Sequence, residues 1–78
     1  SIGSIQQNNL VIQNDSLLNI NKASLAQLMI SGIDEGVAKA IVLYRKQYGR
    51  FNQLEDLKQI VFINEAVYQQ IVPKFKVE

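Results

Sequence analysis

The chain divides into two stretches of different pattern. Residues 1–16 are mostly Ser, Gln, Asn and Asp, with Leu10-Val11-Ile12 as the main apolar interruption. This stretch reads as a polar tail or linker whose apolar triplet is expected to form a short strand or to dock on a core. From Leu17 the apolar density rises and holds to Val77, so residues 17–78 read as one folded domain. Ser24 followed by Gln27 has the spacing of a capping box, and Leu25, Leu28 and Met29 supply the apolar positions behind it. Gly32 ends this first short helix. A second helix is predicted from about Glu35 to Tyr48, because Val37, Ala38, Ile41, Val42 and Arg45 recur at three- and four-residue steps, with Tyr48 completing the stripe. The stem of Arg45 is expected to lie along that stripe with its charged head in water. Gly49 stands where a glycine stop belongs. Arg50-Phe51-Asn52-Gln53 reads as a loop with Phe51 turned inward. A third short helix fits Leu54 to Ile60, and a fourth fits Glu65 to Val72, stopped by Pro73. No segment alternates with the period of a strand over a useful length, which predicts an all-α fold.

The chain also matches itself at an offset of thirty residues. Ile30 to Val42 aligns without a gap on Ile60 to Val72, with six identities in thirteen positions: Ile30/Ile60, Ile33/Ile63, Glu35/Glu65, Val37/Val67, Ile41/Ile71 and Val42/Val72. Asp34/Asn64 and Gly36/Ala66 are near matches. Shared core-type residues alone would not repeat the Ile-Asp/Asn-Glu turn. Each copy reads as short helix, tight turn and longer helix. Neither copy can bury its apolar stripe alone, so the two are expected to pack together as a bundle of four to five short helices around one small core.

Composition narrows the chemistry. Seventy-eight residues make one domain at most. There is no cysteine and no histidine, which removes thiolate metal sites, disulfides and the commonest general base. No nucleophile constellation, phosphate loop or metal motif is visible, so no enzyme activity, cofactor, metal or small-molecule substrate is expected. Eight Lys and Arg against seven Asp and Glu leave a net charge of +1, so any nucleic-acid contact must come from a focused site rather than a broad basic face. No apolar run approaches the ~20 residues of a membrane span, and no signal-peptide pattern is visible.

The turn from Ile30 to Val42 carries a family likeness. Ile30-Ser31-Gly32-Ile33-Asp34, followed by Ala38 and Ile41-Val42, resembles the helix-hairpin-helix pattern of hydrophobic-x-Gly-hydrophobic-Gly-x-x-x-Ala-x-x-hydrophobic-hydrophobic. The flanking Asn19-Ile20-Asn21-Lys22-Ala23-Ser24, Tyr44-Arg45-Lys46, Gly49-Arg50-Phe51 and Glu55-Asp56-Leu57 resemble the DNA-uptake competence proteins of the ComEA type. The likeness runs from about Leu18 to Val77, with the segment between Leu28 and Gly32 one residue shorter than usual. It implies a tandem helix-hairpin-helix, SAM-like fold that binds double-stranded DNA without sequence preference. For a competence-type fragment it also implies an extracytoplasmic domain, membrane-anchored within the full-length bacterial protein. Such a hairpin lets backbone amides and a helix N-terminus approach a phosphate, and reads no bases. Carried onto this chain, the first hairpin offers Ser31, Gly32, Ile33, Asp34, Gly36 and Lys39 as DNA-binding residues. Asp34 replaces the second glycine, and with Glu35 it brings negative charge where a phosphate would sit. Both acids are alternatively placed to cap the helix. The second hairpin offers Ile63, Asn64 and Ala66, but Phe62 replaces its first glycine and Asn64 its second. Asn64 tolerates a left-handed backbone, which would preserve the turn.

The remaining features have two readings each. Lys39, Arg45, Lys46 and Arg50 form either a DNA-tracking patch or an ordinary solvated face. Lys74 and Lys76 read as solubilising. Tyr44, Tyr48, Phe51, Tyr68 and Phe75 fit core packing better than base stacking. Glu55 and Asp56 fit a helix cap near Leu54 better than a catalytic or metal pair. Two functions therefore stand side by side: non-specific double-stranded DNA binding, or a protein-interaction or structural module that kept the fold and lost the DNA surface.

Overall fold

The computed structural model describes residues 17–78; the polar tail, including Leu10-Val11-Ile12, lies outside the described residues. The elements run β1 (Leu18–Asn19), α1 (Leu25–Ile30), α2 (Glu35–Tyr48), a 3₁₀ helix (Leu54–Gln59), α3 (Glu65–Ile71), a 3₁₀ turn (Val72–Lys74) and β2 (Phe75–Lys76). The architecture is the expected small all-α bundle. Among the described residues it adds a two-residue parallel pairing of β1 with β2, Leu18 opposite Phe75 and Asn19 opposite Lys76. That pairing is too short to leave an alternating pattern in the sequence.

α1 starts where the capping box placed it. Ser24 Oγ accepts from the Gln27 amide at 3.0 Å, and Gln27 Oε1 accepts from the Ser24 amide at 2.9 Å. The next segment differs from expectation in kind: Leu54–Gln59 is a 3₁₀ helix rather than an α-helix. Asp56 starts it by accepting at Oδ2 from the Asn52 and Gln53 amides, the capping role foreseen near Leu54. α3 stops just ahead of Pro73, as expected, with Val72 as its C-cap rather than its last residue. It ends at Ile71, and Pro73 sits in the first turn of the following 3₁₀ segment, where a missing N–H does no harm.

The core gathers Ile20, Leu28, Ile33, Ala38, Ile41, Phe51, Leu57, Ile63, Ile71 and Phe75, with Ala23, Val37, Ile60 and Tyr68 completing it. Ile33 and Ile63 are buried alike, and so are Ile41 and Ile71, as the repeat requires. Ile30 and Ile60 break the symmetry: Ile30 is 86% exposed and Ile60 only 8%. Ile60 stands just past the 3₁₀ helix as its extended C-cap, three residues after buried Leu57. In α1 the buried residue is Leu28, and Ile30, two positions on, projects from the opposite face.

Two aromatic and basic expectations need correction. Tyr48 does not complete the buried stripe; it is 73% exposed. It lies against Tyr44, ring centroids 5.0 Å apart, while Tyr44 stacks on buried Phe51 at 4.6 Å. The helix ends at once beyond it, leaving nothing to cover its outer face. The head of Arg45 is not left to water alone. Its Nη1 donates to the carbonyls of Ile20 at 2.9 Å and Ala23 at 2.8 Å. Burial pushes the guanidinium's pKa down from its ordinary value. Arg45 is thus a tie between α2 and the segment ahead of α1.

Candidate nucleic-acid interface

The first hairpin is a Schellman turn. Gly32 has φ of +99°, its amide donates to the Met29 carbonyl at 3.0 Å, and the Ile33 amide donates to the Leu28 carbonyl at 3.1 Å. These bonds satisfy the carbonyls at the end of α1, and the apolar contact that accompanies the motif is supplied by buried Leu28 and Ile33. Ser31 closes the turn by donating its hydroxyl to the Leu28 carbonyl at 2.8 Å. Ile33 therefore contributes neither a free side chain nor a free amide to a ligand.

Asp34 follows as the N-cap of α2. Its Oδ2 accepts from the Gly36 amide at 3.0 Å and from the Val37 amide at 3.4 Å. The carboxylate occupies two of the donors that an incoming anion would use. The amides of Asp34 and Glu35 donate to no acceptor among the described residues. Lys39 lies one turn into the helix, where it pairs with Glu35 at 3.0 Å on an exposed face.

The second hairpin is built differently. No non-glycine residue has positive φ among the described residues, so Asn64 does not rescue a left-handed turn. It has extended backbone, φ −82° and ψ −179°, and caps α3 by accepting from the Val67 amide at 2.9 Å. Asn64 thus does for α3 what Asp34 does for α2, without the charge. Glu65 is held by Lys58 at 3.2 Å and by Gln69 at 2.8 Å. The Gln69 bond first and then Lys58 lower its carboxyl below the ordinary 4.5. Ile63 is buried, and its amide is spent on Ile60 at 2.9 Å. Ala66 is exposed at the start of α3. At the tip, Val61 is 93% exposed and Phe62 70%, so Phe62 neither packs inward nor leaves room for a close backbone approach.

The basic residues do not form one patch of equals. Arg45 is committed to backbone carbonyls and Arg50 donates to the Glu78 carbonyl at 2.9 Å. Lys46 is exposed beside the Leu25, Lys39, Val42 and Leu43 groove. Lys76 pairs with Glu78 at 3.0 Å. Lys74 departs from the solubilising reading. Its Nζ donates to the Ser31 carbonyl at 3.0 Å, which brings a cation from the second repeat onto the first hairpin. A contact across 43 residues leaves no trace in local spacing, so the sequence pattern could not show it.

Two turn-and-helix units, each capped by the residue after a buried isoleucine, define a tandem helix-hairpin-helix domain. The chain belongs to the helix-hairpin-helix motif family, which matches residues 13–76. It is 40% identical over 57 residues to ComE operon protein 1 of Bacillus subtilis, covering 72% of this chain and 28% of that protein. It is 46% identical over 55 residues to the mouse endonuclease/exonuclease/phosphatase family domain-containing protein 1, and 42% identical to the human protein of that name. Those matches cover 69% of this chain and 10% of each relative. The chain therefore spans a small part of each of these relatives.

Proposed function

We propose that this domain binds double-stranded DNA without sequence preference, through the first hairpin, as part of DNA uptake. The observation that carries the reading is the Gly32 Schellman turn, which presents the amides of Asp34 and Glu35 at the head of the 14-residue helix α2. Ser31, Gly32, Ile33, Asp34, Gly36 and Lys39 form that contact, with Ile33 acting from beneath as the anchor of the turn. Ile63, Asn64 and Ala66 give the second hairpin a lesser share. Donors aimed at phosphate oxygens position a duplex and carry no base readout. The likeness to ComE operon protein 1 supports the competence setting. The proposed role is binding rather than catalysis, since the endonuclease-family relatives are matched over only a tenth of their length.

One observation favours the alternative of a protein-interaction module: exposed Val61 and Phe62 at the second tip. The test that separates the two is titration of a random-sequence duplex at low salt, repeated as salt is raised. Micromolar binding that weakens steeply with salt supports the DNA reading. Absence of binding at low salt overturns it.

A further inference from the structure

We propose that Lys74 is a phosphate-contacting residue of the first hairpin, supplied by the second repeat. The inference rests on the DNA-binding reading above and adds a cation to it. Lys74 Nζ lies 3.0 Å from the Ser31 carbonyl oxygen, and a Cβ built on Gly32 would stand 3.7 Å from that Nζ. The ammonium therefore sits at the glycine turn itself. It borders a groove of about 430 Å³ between the hairpin and α3, lined by Gly32, Asp34 and Gln70 as well as Lys74, and floored by Ile33 and Ile71.

Three features fit this cation to a phosphodiester oxygen. An ammonium has three donors, and the Ser31 carbonyl accepts only one of them. Among the described residues Lys74 makes no ion pair, whereas Lys39, Lys58 and Lys76 each hold a carboxylate. The Lys74 side chain is already fixed by its bond to Ser31, so less rotamer freedom is lost when an anion arrives. Its charge also shares the groove with Asp34. That offsets, at the one hairpin with a left-handed glycine, the acid that the sequence places against a phosphate.

The test measures duplex affinity across a salt series for the unaltered protein, Lys74→Gln, Lys74→Arg and Lys76→Gln. Glutamine keeps a donor for the Ser31 carbonyl, and thermal unfolding checks that each variant is folded. Loss of one phosphate contact should weaken binding about tenfold near ~50 mM salt and reduce the salt slope by about 0.9. Lys74→Gln should show both effects, Lys74→Arg should retain most of the affinity, and Lys76→Gln should do little despite the same change in charge. If the unaltered protein binds and Lys74→Gln matches it, or matches Lys76→Gln, the assignment of Lys74 fails while DNA binding stands. If the unaltered protein does not bind, both fail.

Discussion

The side chain of Asn21 pairs with the backbone of Phe51 as one strand pairs with another. Asn21 Oδ1 accepts from the Phe51 amide at 2.6 Å, and its Nδ2 donates to the Phe51 carbonyl at 3.0 Å and to the Glu78 carbonyl at 3.2 Å. One amide thus joins the segment before α1, the loop after α2 and the C-terminal residue. Buried Phe51 is seated by it, and Tyr44 stacks on that ring. Asn21→Ala should leave two backbone groups of Phe51 without partners and cost about 1–3 kcal/mol. In a domain of this size each kcal/mol lowers Tm by roughly 4–8 °C. Urea and thermal unfolding of the variant check the expectation; an unchanged Tm would contradict it.

Gly32→Ala should destabilise the fold by about 1–2 kcal/mol, since φ of +99° is a conformation that a Cβ penalises. The added methyl meets only the flexible end of Lys74 at 3.7 Å, so the loss comes from backbone strain and not from a clash. Thermal unfolding should show it. The equivalent position in the second hairpin holds Phe62 with no left-handed backbone, so Phe62→Gly should instead loosen the chain by gaining unfolded-state entropy.

Arg45→Lys should cost about 1–3 kcal/mol, because the lysine nitrogen stands one bond closer to the backbone and falls short of the position from which Nη1 reaches both the Ile20 and Ala23 carbonyls. The same variant should leave the salt dependence of duplex binding unchanged. A fall in that slope would return Arg45 to the DNA-facing set.

These two arginine bonds mark where sequence reasoning stops. The capping box at Ser24, the buried Ile33/Ile63 pair and the inward Phe51 were legible, because each follows from spacing within a turn or two of helix. The first hairpin was legible in the same way, through Gly32 and the repeat. The destinations of Arg45 and Lys74 were not, since they reach carbonyls 22 to 43 residues away. Nor was the difference between an α-helix and a 3₁₀ helix before the two turns. Local propensity separates those helix types too weakly, and tertiary packing selects between them.

Glu65 gives the protein an acid-sensitive contact. Its folded carboxyl lies below the ordinary 4.5, through Gln69 first and then Lys58. A lowered carboxyl stabilises the fold above its unfolded value, and the contribution disappears as pH falls through the folded one. Lys58 works in the opposite sense: hydrogen bonding to Glu65 raises it above 10.5, so its share is lost only as pH rises past that range. The Tm advantage of the unaltered protein over Glu65→Gln should therefore be present at pH 7 and shrink below about 4.5. A gap that persists undiminished at lower pH would show that Glu65 acts through something other than its charge.

Asp34→Asn should strengthen duplex binding with little loss of stability. The second hairpin already uses asparagine at the matching cap, where Asn64 Oδ1 accepts from Val67 as Asp34 Oδ2 accepts from Gly36 and Val37. Asparagine and aspartate are nearly equal as N-caps, so the start of α2 survives. What is lost is the favourable meeting of a negative charge with the helix N-terminus, about 0.3–1 kcal/mol. What is gained is removal of a carboxylate from the groove that also holds Lys74. At a few ångströms from a phosphate, with solvent nearby, that repulsion is on the order of 1 kcal/mol, or several-fold in affinity. Titration at low salt should show the gain, and the gain should fade as salt screens the two charges. Unchanged or weaker binding would mean that duplex phosphate does not approach the first hairpin, and would move attention to the second.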